Sequence, residues 1–268
     1  MNSGSIKDVV KEKYGQIAVL NDSLAPGSCG CCCGTDDNID YTIMSDKYTN
    51  LAGYNPNADL GLGCGIPTEF AGIKEGDTVL DLGSGAGNDC FVALREVGST
   101  GKVIGLDMTQ EMIDKAEKNK AAIGLDNIEF ILGEIEQIPL PDNSVDVVIS
   151  NCVLNLVPDK DKAFKEIYRI LKPGGRFSVS DIVTGAELPE NVKKSAEMYA
   201  GCVAGALLKD EYMKIIANNG FASAQILKQK NIDMPDSILK DYLNDEEIIA
   251  FKQNPEVIMS ITVVGVKI

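Results

Sequence analysis

At 268 residues, 44% of them hydrophobic and 24% charged, the chain is long enough for one large domain around a real core, with or without a smaller appendage. A net charge of −15 argues against partners held through phosphate contacts, which need basic patches, so neither nucleic acid nor an anionic membrane surface is expected. The absence of histidine rules out histidine-based triads and histidine metal sites, leaving carboxylates, thiolates, backbone groups or a cofactor for any chemistry.

No apolar run reaches the roughly 20 residues that a spanning helix needs. The first residues include Lys7, Asp8, Lys11, Glu12 and Lys13 with no apolar segment, unlike an export signal. A cytoplasmic location is expected, with the eight cysteines kept mostly as thiols. Ile6, Val9, Val10, Tyr14 and Ile17 recur at helical spacing and predict an opening amphipathic helix. A glycine-rich loop over residues 24–37 follows, crowding Cys29, Cys31, Cys32 and Cys33 together. Residues 41–50 read as a second short helix and residues 60–69 as another glycine-rich loop, carrying Cys64. Residues 1–70 are expected to cap the open edge of the core fold.

The stretch VLDLGSGAGND, residues 79–89, organises what comes next. Val79, Leu80 and Leu82 read as a short buried strand. Gly83, Gly85 and Gly87 alternate in the turn after it, and a helix begins near Asp89. Such a turn lets backbone N–H groups approach a ligand with no Cβ in the way. A dinucleotide fingerprint would have glycine where this chain has Asn88. A second strand over 102–106 ends on Asp107, at the spacing where a doubly wound fold presents an acid to a ribose. Strands at 78–82, 103–106, 128–132, 145–150 and 176–182 alternate with helical stripes such as Ala163, Phe164, Ile167, Ile170 and Leu171. This alternation predicts an α/β fold with a doubly wound, mostly parallel sheet over residues 71–185. Thr109 is expected to cap the helix after the second strand and Gly124 to stop it. Lys172-Pro173-Gly174-Gly175 is expected to end a later helix and turn into the next strand. Residues 190–206 and 210–219 read as helices, and 223–229 and 259–267 as strands. Residues 231–255 give no clear pattern.

Asp81, the alternating glycines, Asp107 and the helix–PGG–strand join resemble the class I S-adenosylmethionine-dependent methyltransferases. The resemblance implies a Rossmann-like core with an antiparallel edge hairpin, a C-terminal α+β lid over 186–268, and S-adenosylmethionine as cofactor, leaving S-adenosylhomocysteine. It implies that Gly83, Gly85 and Gly87 approach the methionine portion and that Asp107 accepts from the ribose hydroxyls. Met108 would pack on the adenine, Glu134 and Ile135 would lie in the turn beside it, and Asn151 would line the methionine side.

Cys152 directly follows the strand 145–150, at the carboxyl end where open α/β sheets bind ligands. Cys64 from the cap and Cys202 from the C-terminal part could fold over the same lip. Free cysteine also packs well in cores, so its place in the fold decides its meaning. The stretches GLGCGIP, SNCVLNL and MYAGCVAGA, spaced around VLDLGSGAGND, resemble the arsenite S-adenosylmethionine methyltransferases from about residue 41 to residue 208. By that resemblance Cys64, Cys152 and Cys202 correspond to the As(III)-binding thiols. The Cys29, Cys31, Cys32 and Cys33 cluster corresponds to an additional cysteine or vicinal pair used in substrate capture or redox turnover, and it exceeds the family pattern. Cys90 is expected to pack in its helix. The implied partners are arsenite as a thiol complex and an external thiol reductant such as thioredoxin or glutathione; no structural metal is expected, and a monomer is. The chemistry agrees: trivalent arsenic is soft and prefers thiolates, and its lone pair needs no base to unmask it. Two rivals are a methyltransferase acting on carbon or oxygen of a small molecule such as a quinone precursor, and a metalloid or zinc buffer built on the cysteine cluster. The first leaves the thiols without purpose, and the second is too crowded for a C-x-x-C knuckle.

Overall fold

The computed structural model describes residues 3–22, 44, 46–124, 126–195, 198, 202–254 and 256–268. The four-cysteine loop over 24–37 lies outside them. Among the described residues no helix is long and apolar enough to cross a membrane.

A seven-stranded sheet carries the fold, in the order β3-β2-β1-β4-β5-β7-β6. Strands β1 (Thr78–Leu82), β2 (Lys102–Asp107), β3 (Ile128–Leu132), β4 (Val145–Asn151) and β5 (Leu171–Thr184) run parallel. The expected edge hairpin is present: β6 (Gln225–Asn231) pairs antiparallel with β7 (Ile258–Val266), which pairs antiparallel with β5. Val147, Val148, Ile149 and Ser150 of β4 are wholly buried, as helices on both sheet faces require. On one face α5 (Lys160–Ile170) presents Ala163, Phe164, Ile167 and Ile170, and Phe164 meets Tyr212 of α7 (Lys209–Asn218) edge-to-face at 5.8 Å. On the other, α2 (Thr68–Ala71) contributes Ala71, and α3 (Asn88–Val97) buries Cys90, Phe91, Ala93, Leu94 and Val97 against Val79, Val103 and Val147. The chain runs outward from β1 through β2 to β3, then returns to β4 on the other side of β1. This reversal opens a crevice at the carboxyl ends of β1 and β4.

Several sequence expectations shift. The opening helix is longer than its apolar stripe, spanning α1 (Ser3–Asp22). The helix expected over 41–50 lies partly outside the described residues; from 46 onward the chain is loop and turn, closed by Leu51 N–H to Tyr48 carbonyl O. Thr109 stands at the N-cap of α4 (Gln110–Ile123), but its side chain makes no cap bond. Its own N–H is instead held by Asp107. Gly124 closes the helix at φ 70°, as expected. The Lys172–Gly175 turn is absorbed into β5, where the pairing jumps from Val145↔Leu171 to Val147↔Arg176. The helix expected over 190–206 is interrupted: α6 (Glu190–Lys194) ends at extended Ser195, Met198 is helical again, and Cys202 takes φ 64°, which no right-handed helix allows. The unpatterned stretch holds α8 (Asp236–Leu239) and α9 (Asp245–Lys252), the latter opened by an Asn244–Glu247 capping box.

Candidate active site

The loop leaving β1 is shaped by the strand beside it. Gly83 and Ser84 donate their N–H groups to the Leu106 carbonyl, and Gly85 donates to Asp107 Oδ2 at 2.9 Å. Gly83 stands at φ 67°, and a Cβ there would lie 2.3 Å from Val153, so only glycine fits. At Gly85, φ 51°, a Cβ would meet nothing nearer than Met112 Sδ at 3.9 Å. A side chain there would instead project into an open cleft of about 1150 Å³.

Asp81, Gly83, Gly85, Asp107, Met108, Glu134, Ile135, Asn151 and Cys152 all line this cleft, together with Lys7, Val10 and Tyr14 of α1. Gly87 does not: it is wedged between Phe91 and Phe130, and its role is packing. Asp107 uses one oxygen for Gly85 N–H and the other for Thr109 N–H at 2.9 Å; burial raises its pKa, and those two bonds oppose the rise. Glu134 pairs with Lys7 at 2.8 Å and Lys11 at 3.6 Å, and the Lys7 bond holds its carboxyl below the usual range. The cleft fits a cofactor with a polar end, because Ser84 Oγ and Asn88 Oδ1 are buried in its wall with no hydrogen-bond partner.

Around Asn151 lies a network that sequence reading missed. Asp89, 7% exposed, has its Oδ1 2.8 Å from the Tyr48 hydroxyl and its Oδ2 3.0 Å from Asn151 Nδ2. Burial pushes Asp89 up to about 6. Asp81 is raised well above the carboxylate range, first by burial and then by the Asp89 charge. Cys90 packs in its helix as expected, but its thiol also donates to Asp81 Oδ2 at 3.3 Å. The signal available was Asp89 itself, an acid in the first turn of the helix after the glycines.

The three core cysteines share one buried cluster. The neighbouring Cys202 and Cys64 thiols, then burial, hold the Cys152 thiol well above its ordinary pKa. Burial likewise raises Cys64. Cys64, Cys152 and Cys202 are all reduced and buried. Cys202 Sγ donates to the Cys152 carbonyl at 2.8 Å. Among the described residues, no three such side chains converge as a ready-made metal cage. Among them too, non-glycine residues with positive φ are Asn143, Cys152 (59°) and Cys202 (64°). Two of the three thiols thus sit in a conformation that costs roughly 1–3 kcal/mol and persists only where the surroundings impose it.

Behind the thiols Asp181, wholly buried, accepts from Tyr212 at 3.1 Å and from Ile182 N–H at 3.0 Å. Burial raises it to about 7. Asp89 and Asp181 therefore keep protons in the fold that the unfolded chain, near 3.8, releases. Their stabilisation is complete below about pH 4 and is lost as pH rises through 6 and 7, on the order of several kcal/mol in all. Carboxylates held low, such as Asp46 beside Lys228, act in the opposite sense, but only below about pH 4. Melting temperature should fall between pH 5 and pH 8, and Asp181→Asn should flatten the upper part of that fall; a rise over this range would contradict the burial assignment.

A mostly parallel sheet with an antiparallel edge and a glycine-loop crevice at its switch point defines a doubly wound, Rossmann-like core. A methyltransferase-domain family model matches residues 73–220. The chain is 37% identical to the crystal structure of the arsenic (III) S-adenosylmethionine methyltransferase from Chlamydomonas reinhardtii, with a TM-score of 0.66, covering 77% of this chain and 68% of that one. It is 44% identical over 227 residues to an arsenite methyltransferase of Halobacterium salinarum, covering 82% of this chain and 58% of the relative. It is 32% identical over 259 residues to the arsenite methyltransferase of Homo sapiens, covering 91% and 66%. The chain belongs to the methyltransferase-domain family and, within it, to the arsenite S-adenosylmethionine methyltransferases. It spans about three-fifths to two-thirds of the length of these two curated relatives.

Proposed function

We propose that this chain methylates trivalent arsenic, holding arsenite on Cys64, Cys152 and Cys202 and methylarsenite on two of them. The observation that carries the reading is the Cys152 thiol, packed in one buried cluster with Cys64 and Cys202 and standing in the wall of the cleft. S-adenosylmethionine, when bound, supplies an electrophilic methyl group on a sulfonium. Asp107 would hold the ribose, Met108 and Ile135 the adenine with Glu134 beside it, and Asp81, Gly83, Gly85 and Asn151 the methionine end.

The thiols suit ligand exchange as they stand. Each protein thiol forms an As–S bond and passes its proton to the departing thiolate, so no net proton is taken up or released. Three thiolates then leave the arsenic lone pair facing the cleft, and the protein contributes alignment. Methylation by a sulfonium oxidises As(III) to As(V). Returning it to As(III) takes two electrons from an external thiol reductant such as thioredoxin or glutathione, which ends as a disulfide. Cys29, Cys31, Cys32 and Cys33 are the proposed capture or redox thiols. We read the chain as a cytoplasmic monomer with a cap over 1–70, a cofactor core over 71–185 and a lid over 186–268.

The test is product speciation after incubation with arsenite, cofactor and a thiol reductant. Methylated arsenicals that appear only with all three components are expected. Their absence, with cofactor still bound, would overturn the reading.

A further inference from the structure

Cys152 leaves β4 in its left-handed turn, with its N–H donated to the Ser180 carbonyl at 2.7 Å. It is flanked by two asparagines, and each grips the main chain of one of the other two cysteines. Upstream, Asn151 Oδ1 accepts the Cys64 N–H at 3.0 Å while Nδ2 donates to the Gly65 carbonyl at 2.9 Å. Downstream, Asn155 sits wholly buried in the single 3₁₀ turn Leu154–Leu156. Its Nδ2 donates to the Cys202 carbonyl at 3.2 Å and to the Ile182 carbonyl at 2.7 Å.

A purely structural account would have Asn155 satisfy the Ile182 carbonyl and nothing more. Two observations argue for more. Asn155 Oδ1 is buried without a partner, a standing cost that an apolar side chain would avoid, so the value of the amide lies in its donor end. And the second donor bond goes to Cys202, whose φ of 64° needs an external constraint. The buried Lys160 ammonium braces the same turn, donating to the Asn155 carbonyl at 3.3 Å and the Val157 carbonyl at 3.2 Å.

We propose that Asn155 is the positioning residue for Cys202 as Asn151 is for Cys64, the two amides fixing the three thiols at one mutual spacing around Cys152. The proposal rests on the three-thiol reading of the site. Without the Asn155 donor, Cys202 would drift from Cys152; without Asn151, Cys64 would.

Asn155→Leu keeps the volume and removes the donor, and Asn151→Ala removes the half-buried amide that holds the Cys64 main chain. Each variant is loaded with one equivalent of arsenite, and its arsenic–sulfur bonds are counted by X-ray absorption. Cofactor affinity is measured calorimetrically on the same sample. For Asn155→Leu we expect the count to fall from three to two, with methylation of both arsenite and methylarsenite reduced about tenfold or more. Cofactor affinity should stay within about twofold, since Asn155 does not line the cleft. For Asn151→Ala the count should also fall to two, with arsenite methylation reduced about tenfold or more at saturating cofactor. Three arsenic–sulfur bonds and unchanged rates in either folded variant would overturn the proposal. If Asn155→Leu does not fold, the Asn151→Ala result decides. A wild-type protein with no arsenic–sulfur bonds would instead strike at the three-thiol reading itself.

Discussion

Cys152→Ser is expected to abolish methylation of both arsenite and methylarsenite, whereas Cys64→Ser should abolish only the first. Arsenite arriving as a thiol complex has three exchangeable positions, and methylarsenite, with carbon in one, has two. Of the three thiols only Cys152 lines the cleft, and it shares one buried cluster with the others. Cys202 Sγ donates to the Cys152 carbonyl at 2.8 Å, whereas Cys64 sits between two glycines in a loop that can withdraw, so Cys64 is the third ligand that methylarsenite can forgo. Serine is nearly isosteric but harder and far less acidic, so the swap removes ligation with little change in packing. A loss of at least ~100-fold fits the scale on which misplaced reacting groups act. Product speciation for the three serine variants on the two substrates, with cofactor affinity and circular dichroism as controls, reads the result. A Cys64 variant that methylated arsenite normally, or lost both activities equally, would refute this division.

The second large effect is expected at Asp107. Asp107→Ala should weaken S-adenosylmethionine binding by about one to two orders of magnitude, since a bidentate charge-assisted contact is worth a few kcal/mol. The structure gives this residue a second duty. Its oxygens already hold the Gly85 and Thr109 N–H groups, so the alanine variant also loosens the glycine loop against which the methionine end would lie. Calorimetry showing unchanged affinity would remove Asp107 from the cofactor site.

How much of this could be read from the sequence depends on whether the cause is local. Strand β4 announces itself because both of its faces are covered, and Val147, Val148 and Ile149 are therefore apolar in succession. The glycine loop is legible for a similar reason: a strand end and three alternating glycines are neighbours in the chain. By contrast, small and apolar residues near Cys202 suggest a continuing helix, and nothing local reveals that the backbone there turns left-handed to bring the thiol to Cys152. Helix α9 was within reach, since Asn244 and Glu247 form a sequence-visible capping box. The network of Tyr48, Asp89 and Asn151 was not, because its members come from three distant segments and meet only once β1 and β4 are paired. The same holds for Asp181 with Tyr212. Each thiol could be singled out, but only the fold brings them into one buried cluster.

The central claim is that a three-thiol arsenic site exists in the folded core, independent of the crowded N-terminal cysteines. It is tested most directly by the arsenic K-edge spectrum of a variant with Cys29, Cys31, Cys32 and Cys33 all replaced by serine, loaded with one equivalent of arsenite. The account predicts three arsenic–sulfur bonds, supplied by Cys64, Cys152 and Cys202. A spectrum with only arsenic–oxygen bonds, in a variant that still binds cofactor as the wild type does, would contradict it.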